Sequence, residues 1–350
     1  MLFNLLNWYS KHKRELPWRE TREPYKIWLS EIILQQTRVD QGLEYYNRFL
    51  QTFPDVFKLA DAELEEVLLL WQGLGYYSRA RNLHKAAKQI LIDFNGKFPD
   101  NYTDLKKLKG VGDYTAAAVA SFAFLEAIPV VDGNVFRVLS RLFANETAID
   151  TLKGKKAFTD LAMKIMNTKE PDTHNQAMME LGALVCLPRS PKCLDCPLQD
   201  FCEANKLGIQ EKLPVKQGKT KQRNRYFTFY ILSYKEQIII EQRTKKDIWQ
   251  GLYQFPLIES KTPLSNEELF QKFTGLLKLP EEVNCNILHV SDSIKHILSH
   301  QVIYAKFVHL ESSTPLNASN GQIVINKENS IDYAFPRLIT RYLEEAAGLK

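Results

Sequence analysis

The chain has 350 residues, 45% of them apolar and 25% charged, an ordinary globular composition at about twice the length of a typical domain, so two domains are expected. Its longest smooth apolar run, Ala116 to Leu125, falls far short of the roughly 20 residues a membrane span needs, and Trp8, His12, Lys13 and Arg14 interrupt any export signal; no membrane association and a cytoplasmic location follow as expectations. The net charge of +5 (46 basic, 41 acidic residues) is too small to announce a nucleic-acid binder by itself.

From the N-terminus to about residue 205 the pattern is helical, with apolar residues recurring at three and four spacings in Ile27 to Leu43, Leu64 to Trp71, Leu83 to Ile92, Thr115 to Phe124, Val135 to Phe143 and Ala177 to Cys186. Then comes a basic stretch. Between Lys206 and Arg225 there are seven basic residues (Lys206, Lys212, Lys216, Lys219, Lys221, Arg223, Arg225) against Glu211 alone, a local charge of +6, and the rest of the chain sums to −1. That segment, 206–225, reads as a linker, either simply solvated or a strap that touches phosphates. Beyond it the texture turns β-branched and aromatic in Tyr226 to Tyr234, Gln237 to Gln242, Gln301 to His309 and Gln322 to Ile325, with one helical segment at Glu267 to Leu277. Residues 1–205 are therefore expected to form an all-α domain and 226–350 an α+β domain.

Four features carry chemistry. In Ser30-Glu31-Ile32-Ile33-Leu34-Gln35-Gln36, a helix would give Glu31 the neighbours Ile27, Trp28, Leu34 and Gln35, a largely apolar face that desolvates the carboxylate and raises its pKa from about 4.3 toward the roughly 6 to 7 of a useful general acid. Leu108-Lys109-Gly110-Val111-Gly112-Asp113-Tyr114 separates two helical segments; its glycines permit a tight hairpin, and the amides of the next helix can hold a phosphate. Twenty residues beyond Gly112, Asp132 opens a further helix in Val131-Asp132-Gly133-Asn134, where it serves as an N-cap whose helix end would keep it ionised. Finally Cys186, Cys193, Cys196 and Cys202 are spaced C-x6-C-x2-C-x5-C, which suits an iron-sulfur cluster or a structural zinc; a single C-x2-C knuckle leans toward the cluster. Cys285 stands alone.

The cysteine spacing matches that of endonuclease III-like DNA glycosylases, which hold a four-iron, four-sulfur (4Fe-4S) cluster there, and the hairpin resembles their helix-hairpin-helix motif, apart from Lys109 where proline is common. With Leu16-Pro17-Trp18-Arg19 and Gly73-Leu74-Gly75-Tyr76-Tyr77, residues 8 to 205 closely resemble adenine DNA glycosylases of the MutY type. Trp249-Gln250-Gly251-Leu252-Tyr253 and the strands around it look like the MutT-like (Nudix-fold) domain of that family. The resemblance implies a helical glycosylase domain with an iron-sulfur cluster joined to a Nudix-fold domain. Its partner would be double-stranded DNA with adenine opposite 8-oxoguanine or guanine, bound by a monomer.

By the same resemblance Glu31 protonates the departing adenine and Asp132 stabilises the oxocarbenium ion, supported by Tyr114 and Asn134. Trp18, Arg19, Leu34 and Gln176 line the adenine pocket, while Gln36 and Tyr76 wedge beside 8-oxoguanine. Gly110, Val111 and Gly112 hold the DNA backbone. Ser299 and His300, in Leu298-Ser299-His300, sense 8-oxoguanine, with Leu298 replacing the family's phenylalanine. Tyr114 stands where lyase relatives carry a Schiff-base lysine; a phenol forms no imine, which points to a monofunctional enzyme. The Nudix run R-E-hydrophobic-x-E-E-x-G is missing, since Glu267-Glu268 lack both its Arg-Glu and its glycine, so recognition without hydrolysis is expected of that domain. A pyrimidine-removing relative, a non-catalytic iron-sulfur DNA-binding protein and a nucleotide-pool hydrolase are disfavoured respectively by Tyr114 and the second domain, by the pair Glu31 and Asp132, and by the absent Nudix run.

Overall fold

The structure, a computed structural model, describes residues 1–218, 222–265, 267–269, 271, 273, 285–319 and 321–345. By its contacts the chain divides into two units, Met1–Asp61 with Asn82–Gly218, and Ala62–Arg81 with Lys219–Lys350.

The first unit is helical among its described residues. Helix Pro24–Leu34 starts on proline, which needs no amide partner there, and is buried from Tyr25 through Ile33 except at Lys26, Glu31 included. It packs on helix Asp113–Phe124, buried from Thr115 to Phe122, whose five alanines keep its surface slim. The helical segment expected from Ile27 to Leu43 is in fact two helices, Pro24–Leu34 and Val39–Thr52. Gln36 between them takes a left-handed φ of 57°, which stops the helical hydrogen-bond ladder although the apolar periodicity runs on. Helices Gly133–Leu142 and Pro171–Leu184 pack together around Val135, Val138, Leu139, Met178 and Leu181. Gly182 makes that approach possible: a Cβ there would lie 2.5 Å from the Cβ of Asn134.

Among its described residues the second unit holds a mixed sheet of eight strands: β1 (Arg223–Tyr234), β2 (Gln237–Gln242), β3 (Tyr253–Gln254), β4 (Leu257–Ser260), β5 (Cys285–Val290), β6 (Ile294–Ile297), β7 (Gln301–Ser312) and β8 (Gln322–Asn326). β1 lies parallel to β7 at its centre, and the remaining pairs are antiparallel. β1 is buried without alternation from Phe227 to Leu232, as a strand covered on both faces must be. One face stacks Phe229 on Phe307 and Phe307 on Tyr342 of the closing helix Arg337–Glu345. The helical segment expected at Glu267–Leu277 lies largely outside the described residues.

Two boundaries differ from the sequence reading. Ala62–Arg81, expected in the 1–205 domain, packs with the sheet: Arg81 donates to the Gln250 carbonyl at 2.7 Å, Tyr77 to the Phe335 carbonyl at 3.4 Å, and Gln72 accepts from the Phe335 amide at 3.0 Å. The expected linker 206–225 is largely folded at both ends. Leu213 is buried, Asp150 accepts from the amides of Gln217 and Gly218, and Ile149 donates to Val215. At the other end Arg225 is buried in ion pairs with Asp247 (2.6 Å) and Glu259 (2.7 Å). A charge count saw Arg225 as one more basic residue; its carboxylate partners lie 22 and 34 positions away.

Candidate active site

Three elements of the helical unit converge on two carboxylates. Glu31 projects from the middle of helix Pro24–Leu34 and is 7% exposed. Tyr114, in the first turn of helix Asp113–Phe124, donates its hydroxyl to Glu31 Oε2 at 2.7 Å. Burial drives the Glu31 pKa up to about 7, the Tyr114 hydrogen bond opposes that rise, the charge of Asp132 reinforces it, and Arg19 pulls it down. The glutamate is thus not unpaired, as the apolar face suggested. Desolvation still dominates over the one donor it meets.

Asp132 caps helix Gly133–Leu142, accepting the Val135 amide on Oδ1 and the Asn134 side-chain amide on Oδ2, both at 2.8 Å. The sequence reading has the helix end keeping it ionised. The structure sets two tendencies against each other: burial pushes its pKa above the usual aspartate value, while the Val135 and Asn134 donors pull it back. Asn134 is oriented in turn by Arg137, whose Nη2 donates to Asn134 Oδ1 (2.9 Å) and to the Gly182 carbonyl (2.7 Å) and whose Nε donates to the Cys186 carbonyl (2.7 Å).

The proposed pocket residues stand in different surroundings. Trp18 is buried with its ring edge-on to Tyr46 at 5.2 Å, an ordinary packing position. Leu34 lies over Gly42, where a Cβ would come within 2.6 Å of it. Gln176 accepts the Tyr9 hydroxyl at 2.7 Å. Gln36 is exposed at the helix break. Arg19 gives both terminal nitrogens to Glu180, at 3.1 and 2.8 Å. Glu180 is a residue the periodicity did not single out, although a lone acid inside Ala177-Met-Met-Glu180-Leu-Gly-Ala-Leu was its signal.

The glycine hairpin follows helix Tyr102–Leu105 and leads into Asp113–Phe124. Gly110 has a φ of 79° and leaves no room for a side chain, since a Cβ would sit 2.5 Å from that of Asn82. Val111 is buried, whereas Gly112 is exposed and open on its Cβ side, so the backbone at the helix start faces outward. Lys109, standing where proline is common, donates its amide to Gln89 at 3.0 Å, a bond proline could not make.

Cys186, Cys193, Cys196 and Cys202 line one cavity together with Arg141. Arg141 is fully buried; it donates to Cys186 Sγ at 3.3 Å and to the carbonyls of Leu187 and Gln210 at 2.7 Å and Pro188 at 3.1 Å. Burial and neighbouring thiols raise Cys193, Cys202 and Cys196, the last to about 11, so ionising this set without a cation is costly. Four thiols and a cationic wall fit an iron-sulfur group.

In the second unit Tyr76, 47% exposed with a φ of 48°, bonds through its hydroxyl to Ser299 Oγ at 2.5 Å. Ser299 and His300 are exposed in the turn between β6 and β7, pinned by Gln222 donating to the Leu298 carbonyl (3.0 Å) and the Arg223 amide to the His300 carbonyl (3.1 Å).

Comparison with known proteins places the chain among base-excision DNA repair proteins with an iron-sulfur site. Residues 29–164 match the HhH-GPD superfamily of base excision DNA repair proteins, 186–202 the iron-sulfur binding domain of endonuclease III, and 227–345 the NUDIX domain. Adenine DNA glycosylase of Buchnera aphidicola subsp. Baizongia pistaciae (strain Bp) is 34% identical, covering 97% of this chain and 94% of that one. The Homo sapiens adenine DNA glycosylase is 42% identical over 60% of this chain and 40% of its own. The chain belongs to the adenine DNA glycosylase family. Among solved structures, a thermostable thymine-DNA glycosylase is similar with a TM-score of 0.55 and 28% identity, over 59% of this chain and 95% of that one. A non-covalent endonuclease III–DNA complex follows with 0.52 and 26%, over 60% and 95%. No helix among the described residues is long and apolar enough to cross a membrane.

Proposed function

We propose that the protein binds double-stranded DNA as a monomer and hydrolyses the N-glycosidic bond of adenine paired with 8-oxoguanine or guanine. The observation that carries this reading is the juxtaposition, around Tyr114, of a glutamate with a pKa near 7 and an aspartate held by two donors. Breaking a glycosidic bond requires a proton for the leaving base and a negative charge beside the cationic sugar. Glu31, protonated near neutral pH, supplies the first; Asp132 supplies the second. Asn134 fixes Asp132, and Tyr114 fixes Glu31. Trp18, Arg19, Leu34 and Gln176 form the pocket for a flipped adenine, whose extrusion costs a few kcal/mol, and Gln36 and Tyr76 fill the space it leaves.

Gly110, Val111 and Gly112 present backbone to a phosphate, blind to sequence. Ser299 and His300 read 8-oxoguanine. The four cysteines hold a 4Fe-4S cluster, which supplies rigidity to the residue 186–202 loop; the excision steps run through the carboxylates. With a phenol at position 114, the enzyme makes no imine with the sugar and leaves an abasic site uncut.

The test is a strand-cleavage assay on an adenine:8-oxoguanine duplex. Cleavage only after alkali treatment is expected; cleavage without alkali, or release of thymine instead of adenine, would overturn the assignment.

A further inference from the structure

Glu180 is 0% exposed, an unusual place for a carboxylate, which loses several kcal/mol of hydration when buried. Arg14 donates to it through its amide (2.9 Å), Nε (2.9 Å) and Nη2 (2.6 Å), and Arg19 through Nη1 (3.1 Å) and Nη2 (2.8 Å). Burial alone would raise the Glu180 pKa, but these donors outweigh it and hold it down to about 2, so it is ionised at any working pH. Arg19 is fixed further by the Arg14 carbonyl at 3.0 Å and lies 5.9 Å from the Tyr9 ring centre.

This matters because Arg19 sits on a short helix, Pro17–Arg19, packed on the helix that carries Glu31, and its charge acts on Glu31. A guanidinium free to turn toward a buried carboxyl would capture it as an ion pair and strip its proton. We propose that Glu180 is a positioning residue: by taking both prongs of Arg19 it keeps that guanidinium from pairing with Glu31, so that Glu31 can hold a proton. The inference rests on the reading of Glu31 as the acid. The other groups acting on Glu31 from elements around it are Tyr114 and Asp132. On helix Val39–Thr52 Asp40 and Glu44 are solvent-exposed, and Arg48 lies over Tyr45 at 4.9 Å.

The decisive experiment titrates the protonated-carboxyl infrared band that Glu31→Gln removes, in the parent and in Glu180→Gln, alongside single-turnover excision. With Glu180→Gln the Glu31 midpoint should fall by about one pH unit or more, a tenfold loss of the protonated form above both midpoints. Adding Arg19→Gln should bring it back, and Glu180→Asp should restore much of it. Should Glu180→Gln fail to fold, Arg19→Lys keeps the charge without the two-pronged hold and should also lower the midpoint. An unmoved midpoint in the folded variant overturns the proposal, even if excision falls equally at every pH. A midpoint that moves while excision does not follow upholds it, and overturns instead the role of Glu31 as acid.

Discussion

Tyr114 donates its phenolic hydrogen to Glu31 Oε2 at 2.7 Å, joining the residue proposed to set this enzyme apart from the lyases to the proposed acid. The bond favours the ionised carboxylate, so it lowers a pKa that burial has raised. Tyr114→Phe should therefore push the Glu31 pKa higher still. The alkaline fall in single-turnover excision should move up by roughly one pH unit. A fall that moves to lower pH would mean that the phenol acts on something other than Glu31.

The raised pKa of Glu31 also makes stability depend on pH. The folded chain keeps this proton up to about pH 7, while the unfolded chain releases it around 4.5. Between those values the native state binds more protons, so stability falls as pH rises; the contribution is fully present below about 4.5 and gone above about 7. Glu31→Gln should flatten this slope, removing about 1 to 3 kcal/mol of the difference between pH 4.5 and pH 8 in urea unfolding. It should also abolish most excision while leaving binding to the mispaired duplex intact. Parallel pH–stability curves for parent and variant would contradict the burial argument.

Replacing Tyr114 with lysine tests the alignment of the site. An amine at the phenol's position, beside Glu31 and Asp132, should attack the sugar as the lyase relatives' lysine does, and borohydride should trap a covalent protein–DNA adduct more efficiently than with the parent. Equal trapping would show that position 114 does not face the sugar.

The purified protein should be yellow-brown and carry about four irons per chain. Arg141→Met should lower iron content and stability together. It removes the donor to Cys186 Sγ and leaves the carbonyls of Leu187, Pro188 and Gln210 without it, a loss of about 1 to 3 kcal/mol. Iron analysis and thermal melting decide this, and stoichiometric zinc without iron after anaerobic purification would refute the cluster.

Lesion reading should depend on a pair rather than on the turn alone, since Tyr76 and Ser299 share a hydrogen bond at 2.5 Å. Ser299→Ala with His300→Ala should cost about ten- to a hundredfold in the preference for 8-oxoguanine over guanine opposite adenine. A cycle of Tyr76→Phe and Ser299→Ala should be non-additive by about 0.5 kcal/mol or more. An unchanged preference at matched salt would remove the turn from recognition.

Much of this site was legible because its signals are local. Helix periodicity places Glu31 among Ile27, Trp28 and Leu34 whatever the rest of the chain does, and the glycine pair and the cysteine spacing need only neighbouring residues. The domain boundary was less so. The composition change near residue 205 invites a boundary there, yet Gln210 and Leu213 supply carbonyls to Arg141, while Leu68 and Arg81 lie against Gly251 of the sheet unit. Composition reports where a texture changes, and packing decides which side a segment joins.

By itself, then, the sequence determined most of the apolar periodicity, the apolar face of Glu31, the capped aspartate and the thiol set, since each follows from spacings of a few residues. Only the tertiary structure decided what those groups meet. Tyr114 reaches Glu31 across 83 positions, Glu180 reaches Arg19 across 161, and Ser299 reaches Tyr76 across 223. Those partners set how far burial may raise one carboxyl and hold down another, because the energy of a buried charge depends on the donors within hydrogen-bond reach, wherever in the chain they come from.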